Sequence, residues 1–224
     1  QMTIYSAEPD SAKIFSGLDW SGELITPECP TQLSALPCHV DSLVINEANI
    51  GINKANYHTS REDQHVIEIK ENEVLHSRTI TLKNTAFSNA WPKGGYRAYF
   101  RMYLPQNITS LSINIDGVIV NESDYEIVEK KGYKQVGILV ETPIKTDKDI
   151  RIDYVLPIEF STPYSYVFFN QKQPGTDGVL PQIIVKHNST LSPTLIAPQA
   201  QVDGNKIIFD SLPEDHTFVG ISFD

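Results

Sequence analysis

The sequence predicts a mainly β protein: an antiparallel two-sheet β-sandwich, immunoglobulin-like or jelly-roll-like, with a small strand-helix portion at its N-terminus. Three observations predict it. Apolar and polar residues alternate with period two over most of the chain beyond residue 61. Turn signals recur every ten to fifteen residues or so. Only one short stretch carries helix signals.

In order, Met2 to Ser6 has the character of a short strand, and Pro9, Asp10 and Ser11 form a helix start for Ser11 to Leu18. Thr26 to Pro37 is proline-punctuated loop, and Val40 to Ile45 restores an apolar run. The stretch from Asn46 to Arg61 follows, where asparagines interrupt residues of interior character. Then the alternation begins: Val66, Ile67 and Ile69; Ile80 and Leu82; Leu111, Ile113 and Ile115. The longest run is Tyr96 to Leu104. It sets Tyr96, Ala98, Phe100, Met102 and Leu104 on one face and Arg97, Tyr99, Arg101 and Tyr103 on the other. Further strands are expected over residues 125–129, 135–141, 150–155, 164–170, 182–187, 206–210 and 218–223. Asp116-Gly117, Lys131-Gly132 and Asp203-Gly204-Asn205 supply tight turns between them. This divides the chain into residues 1–61, a strand-helix-loop portion packed on the sandwich; 62–192, the sandwich; and 193–224, strands that complete or extend it.

Composition bounds the function. A chain of 224 residues with 40% hydrophobic content can build a large core. Its 28 acidic against 18 basic residues give a net charge of -10, which repels phosphate backbones and anionic headgroups, so no nucleic-acid partner is expected. No apolar run approaches the roughly 20 residues of a membrane helix, so any anchor is expected upstream.

Cys29 and Cys38, with Pro30 and Pro37 just inside them, invite a short disulfide-closed loop. Such a ring is worth roughly 2 to 3 kcal/mol of loop-closure entropy and places the chain in an oxidising exterior. Two cysteines beside His39 give no second ligand pair for zinc.

No catalytic, metal or nucleotide signature is present, and no cofactor is expected. The histidines at 39, 58, 65, 76, 187 and 216 show no metal-ligand spacing and are assigned to the surface or to turns. Asp147 and Asp149 flank Lys148 as solvated acids rather than calcium ligands, and the sequons at Asn107, Asn121 and Asn188 are no more than composition leads one to expect. The arginines and tyrosines at 97, 99, 101 and 103 are either an outer strand face or a ladder for sugar or peptide, because guanidinium planes and phenol rings stack and carry polar edges. Asn49, Asn53 and Asn56 either pin an irregular segment to the sheet or, with Lys54 and Arg61, form a ligand site.

Several segments together resemble a bacterial family known as domain of unknown function 4012, found in membrane-anchored cell-envelope proteins. Met2 to Gly22 is similar to its opening run, with Asp19 where glycine is usual. Asn49, Gly51, Asn53, Lys54 and Arg61 match its Asn-x-Gly-x-Asn-Lys and following arginine. Tyr96 to Pro105 matches its Tyr-Arg-x-Tyr-x-Arg-x-Tyr-x-Pro strand, and Tyr154 to Pro157 with Gln171, Lys172, Gln173, Gly175 and Thr176 matches its tail motif. The likeness covers Met2 to Val185. It implies a non-enzymatic extracellular module, membrane-anchored through a preceding segment, that serves surface architecture or adhesion among other envelope proteins or cell-surface glycan. The alternatives are a glycan-binding module, or an accessory domain of an envelope glycopolymer enzyme whose active site lies upstream.

Overall fold

A computed structural model of the chain describes residues 6–18, 22–130, 132–173, 181–212 and 216–224. The expected strand over Met2 to Ser6, Trp20, Lys131, Gly175 and Thr176 lie wholly or mostly outside them. Helix α1 (Pro9–Gly17) begins where Glu8 caps it, its carboxylate accepting from the Ser11 amide at 2.8 Å, with proline in the first turn. No residue of α1 is buried, so the core owes it nothing.

The strands are β1 (Cys38–Ser42), β2 (Val44–Asn49), β3 (Thr59–Ile69), β4 (Glu73–Asn84), β5 (Tyr96–Pro105), β6 (Ser110–Ile115), β7 (Val118–Ile119), β8 (Glu126–Lys130), β9 (Tyr133–Thr142), β10 (Thr146–Pro157), β11 (Tyr164–Asn170), β12 (Gln182–His187), β13 (Pro193–Ala197), β14 (Gln201–Asp203), β15 (Lys206–Phe209) and β16 (Thr217–Phe223). The mainly β, sandwich-like class with a small helical part is what the alternation predicts.

One layer is an eight-stranded sheet in the order β14-β15-β12-β3-β4-β10-β6-β7. The other is divided into two four-stranded sheets, β1-β11-β16-β13 and β2-β5-β9-β8. Fully buried Leu43 is the single residue between β1 and β2, so one extended segment crosses from the first small sheet to the second. A single apolar core fills the space between the layers. Two ladders are parallel, against the antiparallel expectation: Cys38 lies opposite Ser165 in the β1–β11 pair, and His65 opposite Ile183 in the β3–β12 pair. The last strands divide between the layers, β13 and β16 joining one sheet and β14 and β15 the other.

Positive φ values at Asp116 (53°) and Gly117 (84°) give the primed turn that the dipeptide foretells between β6 and β7. Cys29 and Cys38 form a disulfide, and the loop it closes is seated on the outer side of β11 and β16. Ser165 Oγ donates to the Leu33 carbonyl at 2.9 Å, and the Ser165 amide donates to Pro37 at 2.8 Å. Leu33, 1% exposed, fills the space above Gly220, where an added Cβ would lie 2.1 Å from Leu33 Cδ1. Gly220→Ala should therefore lift Leu33 and the loop, lowering stability by about 1 to 3 kcal/mol as overpacking does. Thermal unfolding checks this, and an unchanged melting temperature would contradict the packing.

Candidate functional site

The face of the β2-β5-β9-β8 sheet that points away from the core carries Arg97, Tyr99, Arg101 and Tyr103, half-buried or exposed in alternation with buried Ala98, Phe100, Met102 and Leu104. The structure gives each of the four a neighbour. Arg97 Nε pairs with Glu141 Oε1 at 2.9 Å across the β5–β9 ladder. Tyr99 lies over Gly137, whose missing Cβ leaves room for the phenol, and reaches Glu126 on β8 at 3.1 Å. The Arg101 guanidinium sits 5.3 Å from the Tyr99 ring, and Tyr103 meets Tyr133 edge-on at 5.5 Å. Three of these four contacts cross to β8 or β9, so the ladder braces the sheet as well as presenting a face.

At the Tyr103 end, this face opens into a cleft of about 320 Å³. It is lined by Gly22 to Ile25, Val44 to Asn46, Tyr103, Gln171 to Gln173 and His216. The tail-motif glutamines build its wall. Gln171 accepts from the Ile25 amide at 3.0 Å and donates to the Glu23 carbonyl at 2.8 Å. Gln173 accepts from the Glu47 amide and donates to the Glu47 carbonyl, both at 2.7 Å. Each primary amide thus pairs with backbone as a strand would. Gln171 holds the segment at 23–25, while Gln173 holds β2. Between them the Lys172 amide donates to His216 Nδ1 at 3.1 Å, which leaves the neutral ring's proton on Nε2.

Glu47 itself is nearly buried. Its carboxylate forms an ion pair with Arg61 of β3 and accepts from the Tyr96 hydroxyl of β5. Burial raises the Tyr96 pKa, opposed by the Arg61 charge, so the phenol stays protonated and able to donate. Arg61 thus takes Glu47, while its neighbour Glu62 takes Lys83.

The asparagine stretch joins loops. Asn53 Nδ2 donates to the Gly95 carbonyl at 2.9 Å, and its Oδ1 accepts from the Ala55 amide at 3.1 Å. Asn49 Nδ2 donates to the Asn53 carbonyl at 3.1 Å, and its Oδ1 accepts from the Gly51 amide at 2.9 Å. The network is half-buried rather than buried, and its shortest hydrogen bonds go to backbone groups, with longer ones from Asn49 to the Asn53 and Asn56 side chains, which makes it a scaffold. Lys54 contributes its amide, to Pro92 at 2.7 Å, with its side chain exposed.

The assignment of every histidine to surface or turn is corrected. His65, His76 and His187 are buried, because each sits at an inward position of its strand. His76 stacks on Tyr154 at 4.3 Å with ring planes 3° apart. Its Nε2 comes within 2.7 Å of Asp41 Oδ2 on β1, off the line of a straight hydrogen bond, and its Nδ1 is 3.1 Å from His65 Nε2. Tyr166 donates to the same Asp41 oxygen at 3.1 Å. Nearby, Arg78 makes a two-pronged pair with Asp63 at 2.9 and 2.7 Å. Burial, then the neighbouring His76 and Arg78, hold the His65 pKa well below 6.5. Burial and Asp41 push the Tyr154 and Tyr166 phenols well up. The cluster lies in the core, and among the described residues no group of three metal-ligating side chains converges.

No family model matches the sequence, and no curated protein does. Solved structures give likenesses of shape. A Legionella pneumophila protein described as nutrient-binding aligns with TM-score 0.48 at 10% identity, over 81% of this chain and 70% of that one. Legionella pneumophila aminopeptidase A aligns at 0.42 and 12%, over 80% of this chain and 23% of that one. Leukotriene A4 hydrolase from Saccharomyces cerevisiae aligns at 0.39 and 11%, over 75% and 29%. Likeness at this level carries no argument about activity.

Two outcomes test the geometry. Asn53→Ala orphans the Ala55 amide and the Gly95 carbonyl, and should lower stability by about 1 to 3 kcal/mol in denaturant titration; an unchanged midpoint would remove the asparagine from the scaffold. His65 has a folded pKa below its unfolded one, so the unfolded chain binds the extra proton. Stability is therefore complete above the ordinary value of 6.5 and falls as pH drops below it, by up to about 1.4 kcal/mol per pH unit. His65→Phe should flatten the decline of melting temperature between pH 7 and 5.5, and an equally steep decline would assign it to other groups.

Proposed function

We propose that this chain is a non-enzymatic extracellular module of a bacterial cell-envelope protein that adheres by gripping a cell-surface glycan. One observation carries the reading: Asn46, Tyr103 and the Gln171 to Gln173 segment, which lie far apart in sequence, line one cleft beside an aromatic and guanidinium face. The cleft combines the Tyr103 ring, which can stack on a sugar face, with the Asn46 amide, suited to ring hydroxyls. Both stand on the rigid β2–β5 ladder, which Gln173 holds through its backbone pairing, so little ordering is needed on binding.

The disulfide suits an oxidising compartment, and among the described residues no helix is long and apolar enough to cross a membrane. Membrane anchoring through a preceding segment belongs to this proposal. It is supported by the resemblance of Asn49 to Arg61, Tyr96 to Pro105 and Gln171 to Gln173 to domain of unknown function 4012.

A glycan array followed by calorimetry on envelope polysaccharide fragments tests the reading. Tyr103→Ala should weaken the selected glycan on the order of tenfold, a loss typical of one stacking ring, without lowering the melting temperature by more than a few degrees. Absence of any bound glycan would end the adhesion reading.

A further inference from the structure

Three loops meet at the end of the sandwich opposite Tyr103: residues 50–58 between β2 and β3, 85–95 between β4 and β5, and 143–145 between β9 and β10. They form one unit. The Lys54 amide donates to Pro92 at 2.7 Å and Asn53 to Gly95, while Asn84 Nδ2 donates to both Gly94 at 3.1 Å and Thr142 at 3.0 Å. On this braced base stand exposed apolar side chains: Ile52 at 93%, Tyr57 at 79% and Trp91 at 73%, with Phe87 and Ile50 beside them.

Ile52 has a φ of 55°. That is an unfavourable conformation for a β-branched residue, maintained here by the asparagine network on either side of it. A fold that holds an isoleucine in this state at full exposure presents it outward instead of hiding it.

Charge sets the end apart as well. The three loops contain Lys54, Lys93 and Lys145 and no aspartate or glutamate, in a chain with 28 acids and 18 bases. The bordering acids are already on strands, and Glu141 there is paired with Arg97. Lys93 lies over the Phe87 ring, its Nζ 3.5 Å from the centroid, so cation and apolar surface are presented together.

We infer that this end docks onto an anionic lipid surface, with Ile52, Trp91, Tyr57 and Phe87 entering the headgroup boundary and the three lysines meeting lipid phosphates. Tryptophan and tyrosine favour that boundary, where ring and polar edge are both satisfied, and lysine stems reach across it to the headgroups. Apolar area and attraction to anionic headgroups act together in such docking. The prominence of Ile52 suits a deformable surface, and the absence of acids suits a negative one. An acidic protein that touches an anionic membrane through loops that carry no acid is also oriented by the repulsion of its remaining surface.

The test is co-sedimentation of the whole chain with vesicles of phosphatidylcholine alone and of phosphatidylcholine mixed with phosphatidylglycerol, at low and high salt. Trp91 emission is followed in a Trp20→Phe background. The expected result is sedimentation with the mixed vesicles only, weakened by salt, with a blue shift of Trp91. Ile52→Asn suits a positive φ and so keeps the fold; with Trp91→Ser it should cut partitioning at least tenfold, while Lys54→Gln and Lys93→Gln should each cut it on the order of fivefold. Tyr103→Ala should leave it unchanged, which separates this docking from glycan binding. The inference is overturned if mixed vesicles do not sediment the protein, or if the loop substitutions leave binding intact. It is equally overturned if ultracentrifugation shows the same residues instead joining two copies of the chain.

Discussion

The segment from Cys38 to Asn49 carries two inward-pointing carboxylates, Asp41 and Glu47, one on each side of the Leu43 crossing. A buried carboxylate without a partner is too costly to survive in a folded protein, so both must find counter-groups, and both find them on the opposite layer. His76 of β4 approaches Asp41 and Arg61 of β3 pairs with Glu47, with Tyr166 and Tyr96 adding hydroxyl donors. Apolar packing alone would let the two small sheets slide over the large one. The buried polar contacts across the layers permit one register.

That constraint extends to the cleft. Glu47 is held from the core side by its carboxylate and from the cleft side by Gln173 through its backbone. The wall on which Tyr103 and Asn46 stand is therefore anchored through the thickness of the protein. Two glycines make the matching adjustment on the outside: Gly137 gives Tyr99 its path to β8, and Gly220 gives Leu33 its seat. In both places the missing side chain is replaced by one from elsewhere in the chain, which links strands two apart in one sheet at Gly137 and seats the disulfide loop on the other at Gly220.

The strands were legible because period-two burial is a local property: Tyr96 to Leu104 and Ile150 to Leu156 announce their faces within ten residues. Pairing partners were not, since nothing near Cys38 encodes Ser165 and nothing near His65 encodes Ile183. The parallel ladders and the division at Leu43 therefore stayed hidden. Glu47 and His76 left a readable trace as polar residues at inward positions of alternating strands, Ile45-x-Glu47-x-Asn49 and Val74-x-His76-x-Arg78-x-Ile80. The same rule that marks the apolar face marks these as buried and partnered. Gln171 and Gln173 were visible only as a motif, because a side chain paired to distant backbone has no local signature. The exposed loop end was present in the composition of residues 50–58 and 85–95, but only the fold brings those stretches together.

The parallel ladders set an order of assembly. Cys38 meets Ser165 only after nearly all of the chain between them has been made, and β11 in turn pairs with β16, the last strand. The sheet that covers Asp41 and His76 is thus closed by contacts with long loop-closure paths, the kind that form slowly and late. The hairpins β3–β4 and β8–β9, whose strands follow one another directly, have no such wait. During synthesis the early strands would stand with one face uncovered until the C-terminus arrives, and the loop tied off by Cys29 and Cys38 keeps β1 short-tethered for that final docking. A chain cut before residue 217 loses more than its last strand: it leaves β11, the ladder partner of β1, without its other neighbour.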